Sequence, residues 1–414
     1  MHPGEVVSSA RRAAYLIAAL ALCVAAGSCR PRPITPAAEN LDAVPTEIPA
    51  TRQPTAPSTG TSTSTPKRSA TTTDAPTPVS TTTETLTQTP TPTATPTSSP
   101  SPLPTATRTR TPAYRLNPQG SVGLGVYVDG TPYDEFVTAG GFESLIRHKL
   151  EYVLWFQAWG ESDKAFFTDL VKLAARNGFV PVITWEPWKR NFANPVELQP
   201  SYSFSSIASG EHDLYIQSWA RAARAVDVPI VLRFAHEQST RPGTRQWYPW
   251  QGDPEGYRAA YRHIVEIFRR EGAKKVQFLW SAMWLNEWAS QYYPGEDVVD
   301  LVGTTVLNHG TAAQADWAKW RTFDDLFSGQ YAAALQWGKP IMVTELATAE
   351  QGGDKASWLK DCLSSLRTKY PLVRSLLLFE VQSDREWPEI NWSVASSPRS
   401  RATFQEAIRD PYFR

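Results

Sequence analysis

After Tyr114 the chain alternates short apolar runs with segments whose apolar residues recur at helical spacing. The runs are rich in Val, Ile, Leu and aromatic residues, as is typical of strands that are buried on both faces of a sheet. The eight predicted strands are Val122–Val128, Tyr152–Trp159, Val180–Trp185, Ile230–Ala235, Val276–Trp280, Leu301–Leu307, Ile341–Glu345 and Ser375–Phe379. Strands that alternate with helices in this number, over roughly 300 residues, predict an α/β fold, the (β/α)8 TIM barrel.

Start and stop signals for helices agree with this alternation. Asp253 before Pro254 predicts an N-cap followed by proline at the first helical position. Gly178, Gly272 and Gly338 follow helical segments, where a left-handed residue commonly ends a helix. An open, doubly wound sheet is the alternative fold. The barrel is favoured because no glycine-rich phosphate-binding turn follows the first predicted strand.

Residues 1–29 predict a secretory signal. Arg11 and Arg12 precede the uncharged apolar run Ala13–Ala26, which is too short for a stable membrane-spanning helix. The small residues before Cys29 resemble the lipobox of bacterial lipoproteins, which implies lipidation of that cysteine and anchoring to a membrane. The alternative is ordinary cleavage near Ser28, which would release the protein. Both alternatives predict a secreted or cell-surface location.

Residues 30–113 are rich in Thr, Pro and Ser and nearly devoid of large apolar residues, so they cannot bury enough surface to fold. They predict a disordered, semi-rigid spacer in front of a folded domain at residues 114–414. The chain has 41 basic and 41 acidic residues, which gives no electrostatic reason to expect nucleic acid as a partner. Only Cys362 belongs to the folded part, and its spacing with Leu359 and Leu366 predicts a buried core thiol.

Carboxylates follow several of the predicted strands. Glu237 follows the fourth strand and Glu345 ends the seventh, while Glu186 follows the third and Glu380 the eighth. In a barrel, functional groups lie at the C-terminal strand ends, and strands four and seven lie nearly opposite each other. Two carboxyl groups that face each other across the mouth can flank a glycosidic bond, at about 5–5.5 Å in retaining hydrolysis.

Several motifs resemble those of glycoside hydrolase family 26. The run Arg233–Glu237 followed by Trp247–Trp250 is similar to the acid/base motif of that family, and Lys339–Glu345 is similar to its nucleophile strand. Residues 292–303 resemble the run into its sixth strand, and the likeness covers most of residues 123–413. The family contains β-mannanases, with some β-glucanases and xylanases. The resemblance therefore implies a retaining glycosidase of polysaccharides, with residues 114–414 as its catalytic domain.

The resemblance also implies a role for each matching residue. Glu237 would be the general acid/base and Glu345 the nucleophile of a double displacement. His236 would position the acid or contact sugar, Arg233 would lie close to the nucleophile, and Trp247 would offer a stacking face near the scissile bond. This chemistry needs a raised pKa at the acid, which a partly dry, aromatic-walled site supplies.

Four more residues near the strand ends are candidates for substrate binding: Trp185, Glu186, Trp188 and Trp284. Each tryptophan would either stack on sugar or pack in the core, and Trp280 is assigned to packing. Glu186 would either hydrogen-bond sugar or form a structural ion pair, for which Arg233 is the expected partner. No spacing resembles a zinc motif, so neither a metal nor another cofactor is expected, and a monomer is expected.

Two features depart from the family pattern. Gln238–Gln246 form a longer loop before Trp247 than the family usually has. At the end of the sixth strand, Leu307 stands where a tyrosine commonly hydrogen-bonds the nucleophile, so Asn308 or His309 would have to replace it. The substrate therefore stays open among β-mannan, β-glucan and a bacterial exopolysaccharide. The alternative function is a surface-anchored barrel that binds polysaccharide with little or no turnover.

Overall fold

The computed structural model describes residues 120–193, 196–240, 246–313, 315 and 317–414. The predicted signal with Cys29, the predicted spacer and most of the long loop after the fourth strand lie outside the described residues, so these predictions stay predictions. Across the described part of the chain, no helix combines the length and the apolar composition that crossing a membrane requires.

Eight parallel strands close into a barrel in the order in which they occur in the chain. Strands β1 to β8 are Gly123–Val128, Tyr152–Ala158, Val180–Glu186, Ile230–Phe234, Val276–Ala282, Leu301–Asn308, Ile341–Thr348 and Val373–Glu380. The barrel is closed by parallel pairing of β1 with β8, from Gly123 opposite Ser375 to Val128 opposite Glu380. The predicted fold class, a (β/α)8 barrel, is confirmed.

Helices lie between the strands and after the last one. Helices α1 to α9 are Val137–Ile146, Thr168–Arg176, Phe204–Ala208, Asp213–Val226, Pro254–Glu271, Glu287–Ser290, Phe323–Ala334, Lys355–Thr368 and Pro398–Ala407. Two short 3-10 helices cover Pro200–Tyr202 and Leu335–Trp337. The predicted caps are confirmed, because Asp253 accepts a hydrogen bond from the amide of Gly256 at 2.9 Å and Gly272 ends α5 at φ 79°.

The predicted strand boundaries lie within one or two residues of the observed ones except at the end of β7. This strand continues to Thr348, so Glu345 lies inside β7 and not at its end as expected. The pairing with β6 also slips here, since Thr304 pairs with Val343 whereas Thr305 pairs with Glu345. One residue of β7 is therefore extra, which is the definition of a bulge, and bulges commonly re-aim side chains next to active sites.

Side chains inside the barrel form two layers of different chemistry. The layer nearer the N-terminal ends of the strands is apolar and contains Tyr152, Leu154, Val182, Val231, Leu279, Leu301 and Met342. Farther along the strands, Arg233 occupies the interior and donates hydrogen bonds to Ser281 at 3.0 Å and to Thr184 at 3.5 Å. Because side chains alternate along a strand, Trp185 and Phe234 point the other way and pack against the helices. The apolar layer thus closes one end, and polar groups lie toward the mouth.

Candidate active site

Glu237 lies just beyond β4, where the backbone takes an unusual path. Ala235 and Glu237 both have positive φ values, 42° and 54°, which cost free energy for residues other than glycine. Two backbone hydrogen bonds hold this path: the Ala235 amide donates to the Trp185 carbonyl at 3.0 Å, and the Glu237 amide donates to the Ser281 carbonyl at 2.9 Å. The neighbouring strands β3 and β5 therefore fix the position of the Glu237 side chain.

The Glu237 carboxyl group is buried, with 7% of the residue exposed. Thr305 donates a hydrogen bond to Oε1 at 2.8 Å, and the indole of Trp247 donates to Oε2 at 3.2 Å. Burial raises the pKa of Glu237 to about 7, the negative charge of Glu345 adds to this rise, and Arg233 with the two hydrogen bonds opposes it. A carboxyl group with this pKa can deliver a proton near neutral pH.

Glu345 is as buried as Glu237 but has a different partner. Arg233, which is fully buried, donates a charge-assisted hydrogen bond from Nη1 to Glu345 Oε1 at 2.7 Å. The guanidinium reaches across the barrel from β4 to β7 to make this contact. The structure therefore places Arg233 against Glu345, and the carboxylate has a cation beside it in a site that water scarcely reaches.

Thr305 is a site residue that the sequence did not single out. It lies opposite Glu345 in the pairing of β6 with β7 and donates to Glu237, so it contacts one carboxyl group and neighbours the other. The sequence does contain a signal for Thr305, because Thr304 and Thr305 are polar residues within the apolar run of β6. Since side chains alternate along a strand, one of the two must face the barrel interior. Thr305 follows Leu301 by an even number of residues, and Leu301 lies inside the barrel.

His236 and Glu186 lie side by side behind the acid motif. His236 is buried and its Nε2 lies 3.0 Å from the Tyr248 hydroxyl, while its Nδ1 lies 3.9 Å from Glu186 Oε1 without a hydrogen bond. Burial, followed by the charges of Arg233 and Arg190, lowers the pKa of His236 well below its usual range, so the ring is neutral. His236 is 1% exposed and Glu186 is 3% exposed, so this pair supports the acid motif and offers little surface to sugar.

The predicted ion-pair partner of Glu186 is wrong. Arg190, four residues later in the loop after β3, donates to Glu186 Oε2 from both Nε and Nη2 at 3.2 Å. Arg233 points instead to Glu345. Of the two alternatives for Glu186 the structure shows the ion pair, and the second carboxylate oxygen faces His236. Burial raises the pKa of Glu186, and Arg190 opposes this rise.

Two of the four candidate tryptophans are accessible to a ligand. Trp247 is half-buried beside Glu237, and Trp284, on the loop after β5, is 49% exposed. Each ring follows a strand at its C-terminal end, where a substrate would lie. The predicted packing role of Trp280 is confirmed, because this residue is fully buried with its ring 5.1 Å from that of Tyr293.

Trp185 and Trp188 do not lie where the sequence analysis placed them. Both are fully buried, so neither offers a face to sugar. Trp185 points out of the barrel and packs on Trp219 at 4.6 Å between ring centroids. Trp188 packs edge-on against Tyr248 and Trp250 at 5.5 and 5.3 Å, which makes it the support of the loop that carries Trp247.

The end of β6 supplies no substitute for the missing tyrosine in the described part of the chain. Leu307 is apolar and half-buried. The amide of Asn308 donates to Thr348 at 3.0 Å, and its oxygen accepts from the amides of Gly310 and Arg321. The His309 ring lies among tryptophans of neighbouring loops. The expectation that Asn308 or His309 would contact the nucleophile is therefore wrong, and Arg233 is the partner that the structure provides for Glu345.

The described residues contain no group of three or more His, Cys, Asp or Glu side chains that could hold a metal ion. What they do contain is a pair of buried carboxyl groups on β7 and beyond β4, one with a pKa near neutrality and one paired with arginine. Such a pair in a (β/α)8 barrel is the arrangement found in glycosidases that act through two carboxyl groups.

Comparison with known proteins supports the same class and a particular family. Residues 204–360 match the model of a family described as glycosyl hydrolase family 26. Endoglucanase H of Acetivibrio thermocellus is 32% identical over 296 residues, which cover 69% of this chain and 30% of that protein. The chain thus spans less than a third of the length of this relative. Both findings support a glycosidase, and the similarity to the family model lies in residues 204–360.

Solved structures of two bacterial enzymes share the fold. The catalytic domain of the family 26 endo-β-1,4-mannanase of Bacillus sp. JAMB-750 is 15% identical and superposes with a TM-score of 0.52 over 72% of this chain and 87% of that chain. A modular endo-β-1,4-mannanase from Cellulomonas fimi is 18% identical, with a TM-score of 0.50 over 71% and 72% of the two chains. At such identities the likeness shows the barrel fold alone.

Proposed function

We propose that this chain is an exported, retaining glycoside hydrolase that cleaves a β-linked polysaccharide by double displacement. Glu237 acts as the general acid and base, and Glu345 acts as the nucleophile. One observation carries this proposal: the two carboxyl groups are equally buried but have unlike partners. Glu345 has the guanidinium of Arg233, whereas Glu237 has only the neutral donors Thr305 and Trp247.

In the first half-reaction the Glu345 carboxylate attacks the anomeric carbon, and the bond from that carbon to the glycosidic oxygen breaks. Protonated Glu237 gives its proton to the departing oxygen. With a pKa of about 7, Glu237 is substantially protonated at neutral pH, whereas an ordinary glutamate would be almost fully ionised. The products of this step are a free chain end and a glycosyl ester on Glu345.

In the second half-reaction Glu237 changes role. The glycosyl ester of Glu345 carries no negative charge, so one cause of the raised pKa of Glu237 disappears when the ester forms. The pKa of Glu237 therefore falls, and the ionised carboxylate accepts a proton from water. That water attacks the same anomeric carbon and releases Glu345 as a carboxylate. Two displacements at one carbon retain its configuration.

The substrate class is proposed from the relatives and from the accessible aromatic surface. Endoglucanase H is named for action on glucan, and the Cellulomonas fimi protein is an endo-β-1,4-mannanase. Trp247 and Trp284 offer flat apolar faces of the kind on which pyranose rings stack. Mannan and β-glucan therefore come first among candidate substrates, and a bacterial exopolysaccharide comes next because Leu307 departs from the mannanase pattern.

The test incubates the protein with mannan, mixed-linkage β-glucan and the exopolysaccharide of the producing organism. New reducing ends are measured, and NMR records the anomeric configuration of the first products, which should be retained. Glu237→Gln and Glu345→Gln should each lose roughly 100- to 10,000-fold in rate, the range expected when an acid or base is removed. A matched control is Glu380→Gln on β8, whose carboxylate accepts hydrogen bonds from Ser393 and the amide of Val394.

Azide distinguishes the two roles. With Glu345→Ala, azide should restore cleavage of an activated aryl glycoside and give a glycosyl azide of inverted configuration. With Glu237→Ala, it should give the azide of retained configuration, because Glu345 still forms the ester. Full activity of either glutamate variant, or an exchange of these two outcomes, would show that the roles are assigned wrongly.

Export and anchoring are proposed from the sequence. Lipidation of Cys29 would tether the protein to a membrane, and residues 30–113 would hold the barrel away from it. Bacterial cells that express the protein should incorporate labelled palmitate, and Cys29→Ala should lose the label. Cys23→Ala, within the same signal, is the matched control and should keep it. An unlabelled wild type in the culture medium would instead indicate ordinary cleavage near Ser28.

A second candidate function is a barrel that binds polysaccharide with little turnover. The observation in its favour is that the described residues at the end of β6 give Glu345 no hydrogen bond, since Asn308 is bonded elsewhere and Leu307 has no donor. Tight binding to one of the three polysaccharides, without new reducing ends on any, would favour this function over hydrolysis.

A further inference from the structure

Four aromatic rings on the loops after β6 and β8 form a cluster to which no role has yet been given. His309 and Trp317 follow β6, and Trp387 and Trp392 follow β8. The His309 ring lies 5.1 Å from Trp317, 5.1 Å from Trp387 and 5.0 Å from Trp392, nearly perpendicular to each. The rings of Trp317 and Trp387 are 5.6 Å apart. These four residues are the aromatic cluster.

Exposure increases from one side of the aromatic cluster to the other. Trp392 is 1% exposed, Trp387 is half-buried, and Trp317 is 49% exposed. Among the described tryptophans, Trp284 alone is as exposed as Trp317, and it also lies on a loop at the mouth. A single exposed apolar side chain needs no explanation. An exposed indole that packs against buried rings is different, because a ligand ring can pack against its free face.

The loop after β8 holds its two rings in place. Asp384 accepts a hydrogen bond from the indole of Trp392 at 2.8 Å and another from the backbone amide of Trp387 at 3.0 Å. The buried ammonium of Lys355 donates to the carbonyls of Asn391 and Trp392 at 3.2 and 3.3 Å. The rings are thus ordered before any ligand arrives, which reduces the entropy lost on binding.

The loop after β6 is tied at both ends. Asn308 accepts hydrogen bonds from the amides of Gly310 and Arg321, at 3.3 and 3.2 Å, on either side of Trp317. Burial lowers the pKa of His309, so its ring is neutral and gives the indoles an uncharged support. An uncharged aromatic surface suits the apolar face of a neutral sugar better than an anionic ligand.

The aromatic cluster is continuous with the candidate active site. Leu307, Phe379 and Tyr127 pack against the apolar group that contains Trp392. Ala347, two residues after Glu345 on β7, belongs to the same apolar group. Strands β6 and β8 are the two neighbours of β7 in the barrel. Packed apolar side chains therefore connect β7, beside the proposed nucleophile, with Trp392, and the rings of His309 and Trp387 connect Trp392 with Trp317.

We propose that Trp317 and Trp387 form a further sugar-binding subsite, on which a neutral pyranose ring of the polysaccharide chain stacks at a distance from the bond that is cleaved. This subsite rests on the proposed function, since its occupant is the chain that passes between Glu237 and Glu345. Its consequence is a dependence on chain length: only a chain long enough to reach Trp317 gains from it.

The test compares Trp317→Ala and Trp317→Phe with wild type on oligosaccharides of increasing length, made from whichever polysaccharide the wild type cleaves. Trp317→Ala should lower kcat/KM on long chains by roughly 2- to 12-fold, as expected for one lost aromatic contact, and leave the shortest substrate unchanged. Trp317→Phe should keep most of the wild-type value. Leu335→Ala is the control, because Leu335 is 51% exposed but precedes β7 at the opposite end of the barrel.

The outcomes separate the subsite from the proposed function. If Trp317→Ala matches wild type at every length, or loses equally on short and long chains, the subsite is refuted while hydrolysis stands. If the wild type binds chains without cleaving them, the same comparison is made with dissociation constants. If the wild type neither cleaves nor binds any glycan, the proposed function and the subsite fail together.

Discussion

The raised pKa of Glu237 predicts that this carboxyl group destabilises the folded protein above neutral pH. Its pKa rises from 4.5 to about 7, first because the group is buried and then because Glu345 is negatively charged. Between these pH values the folded chain holds a proton that the unfolded chain has lost. The stabilisation is therefore fully present below about pH 4.5 and is lost as the pH rises through about 7.

The size of this change in stability follows from the shift in the pKa of Glu237. A rise in pKa from 4.5 to about 7 corresponds to about 3 kcal/mol between the two pH limits. Glu237→Gln keeps the shape of the side chain but cannot titrate, and its amide keeps only one of the two hydrogen bonds from Thr305 and Trp247, at a cost of about 1 kcal/mol. The variant should therefore be slightly less stable than wild type at pH 5 and about 2 kcal/mol more stable at pH 8.

Urea unfolding at pH 5, 6, 7 and 8 measures this directly, with the free energy of unfolding of each variant compared with wild type. Glu266→Gln is the control, because Glu266 lies on the exposed face of α5 and should change stability little at any pH. A difference between Glu237→Gln and wild type that is constant over the four pH values would refute the reasoning, since it would mean that Glu237 does not titrate in this range.

Three other substitutions test the partners of the two carboxyl groups. Thr305→Val removes a hydrogen bond that lowers the pKa of Glu237. The alkaline limb of the pH profile of kcat/KM, expected near pH 7 in the wild type, should therefore move to higher pH in this variant. An alkaline limb at the wild-type pH or below it would contradict this. Trp247→Phe keeps an aromatic face but loses the indole donor, and should shift the limb in the same direction with a smaller change in KM than Trp247→Ala. Arg233→Met leaves the buried Glu345 carboxylate without its cation and should lower the free energy of unfolding by about 3–5 kcal/mol in urea. Adding Glu345→Gln to that variant should recover most of the loss, and an additive loss would argue against the ion pair.

The barrel could be predicted from the sequence because a strand buried on both faces is apolar at nearly every position. Ile230–Leu232 and Tyr152–Phe156 show this pattern, and the segments between the strands have the periodicity of helices. The end of β7 could not be placed in the same way. The bulge before Glu345 depends on pairing with β6 and β8, and pairing leaves no local trace in the order of apolar residues.

The wrong predictions for Trp185 and Trp188 show that a position near the end of a strand does not determine whether a side chain faces the site. Trp185 and Glu186 are consecutive at the end of β3, so they must point to opposite faces of the sheet, and only one of them can face the interior. Thr184 contacts Arg233 inside the barrel, which assigns the outward direction to Trp185. The alternation was available in the sequence and would have excluded Trp185. For Trp188, beyond the strand, burial under Tyr248 follows from loop packing that no periodicity describes.

The proposed division of roles between the two glutamates depends on which of them the Arg233 side chain contacts. Arg233 lies on β4, four residues before Glu237, and the expectation that it lies close to Glu345 came from the resemblance to a family. In the structure the guanidinium crosses the barrel to Glu345, and Glu237 is left with donors that carry no charge. Both carboxyl groups are buried to the same extent, so burial alone does not distinguish them. The single cation is what makes the site asymmetric, and a double displacement needs that asymmetry before substrate arrives, with one group holding a proton and the other carrying the charge that attacks.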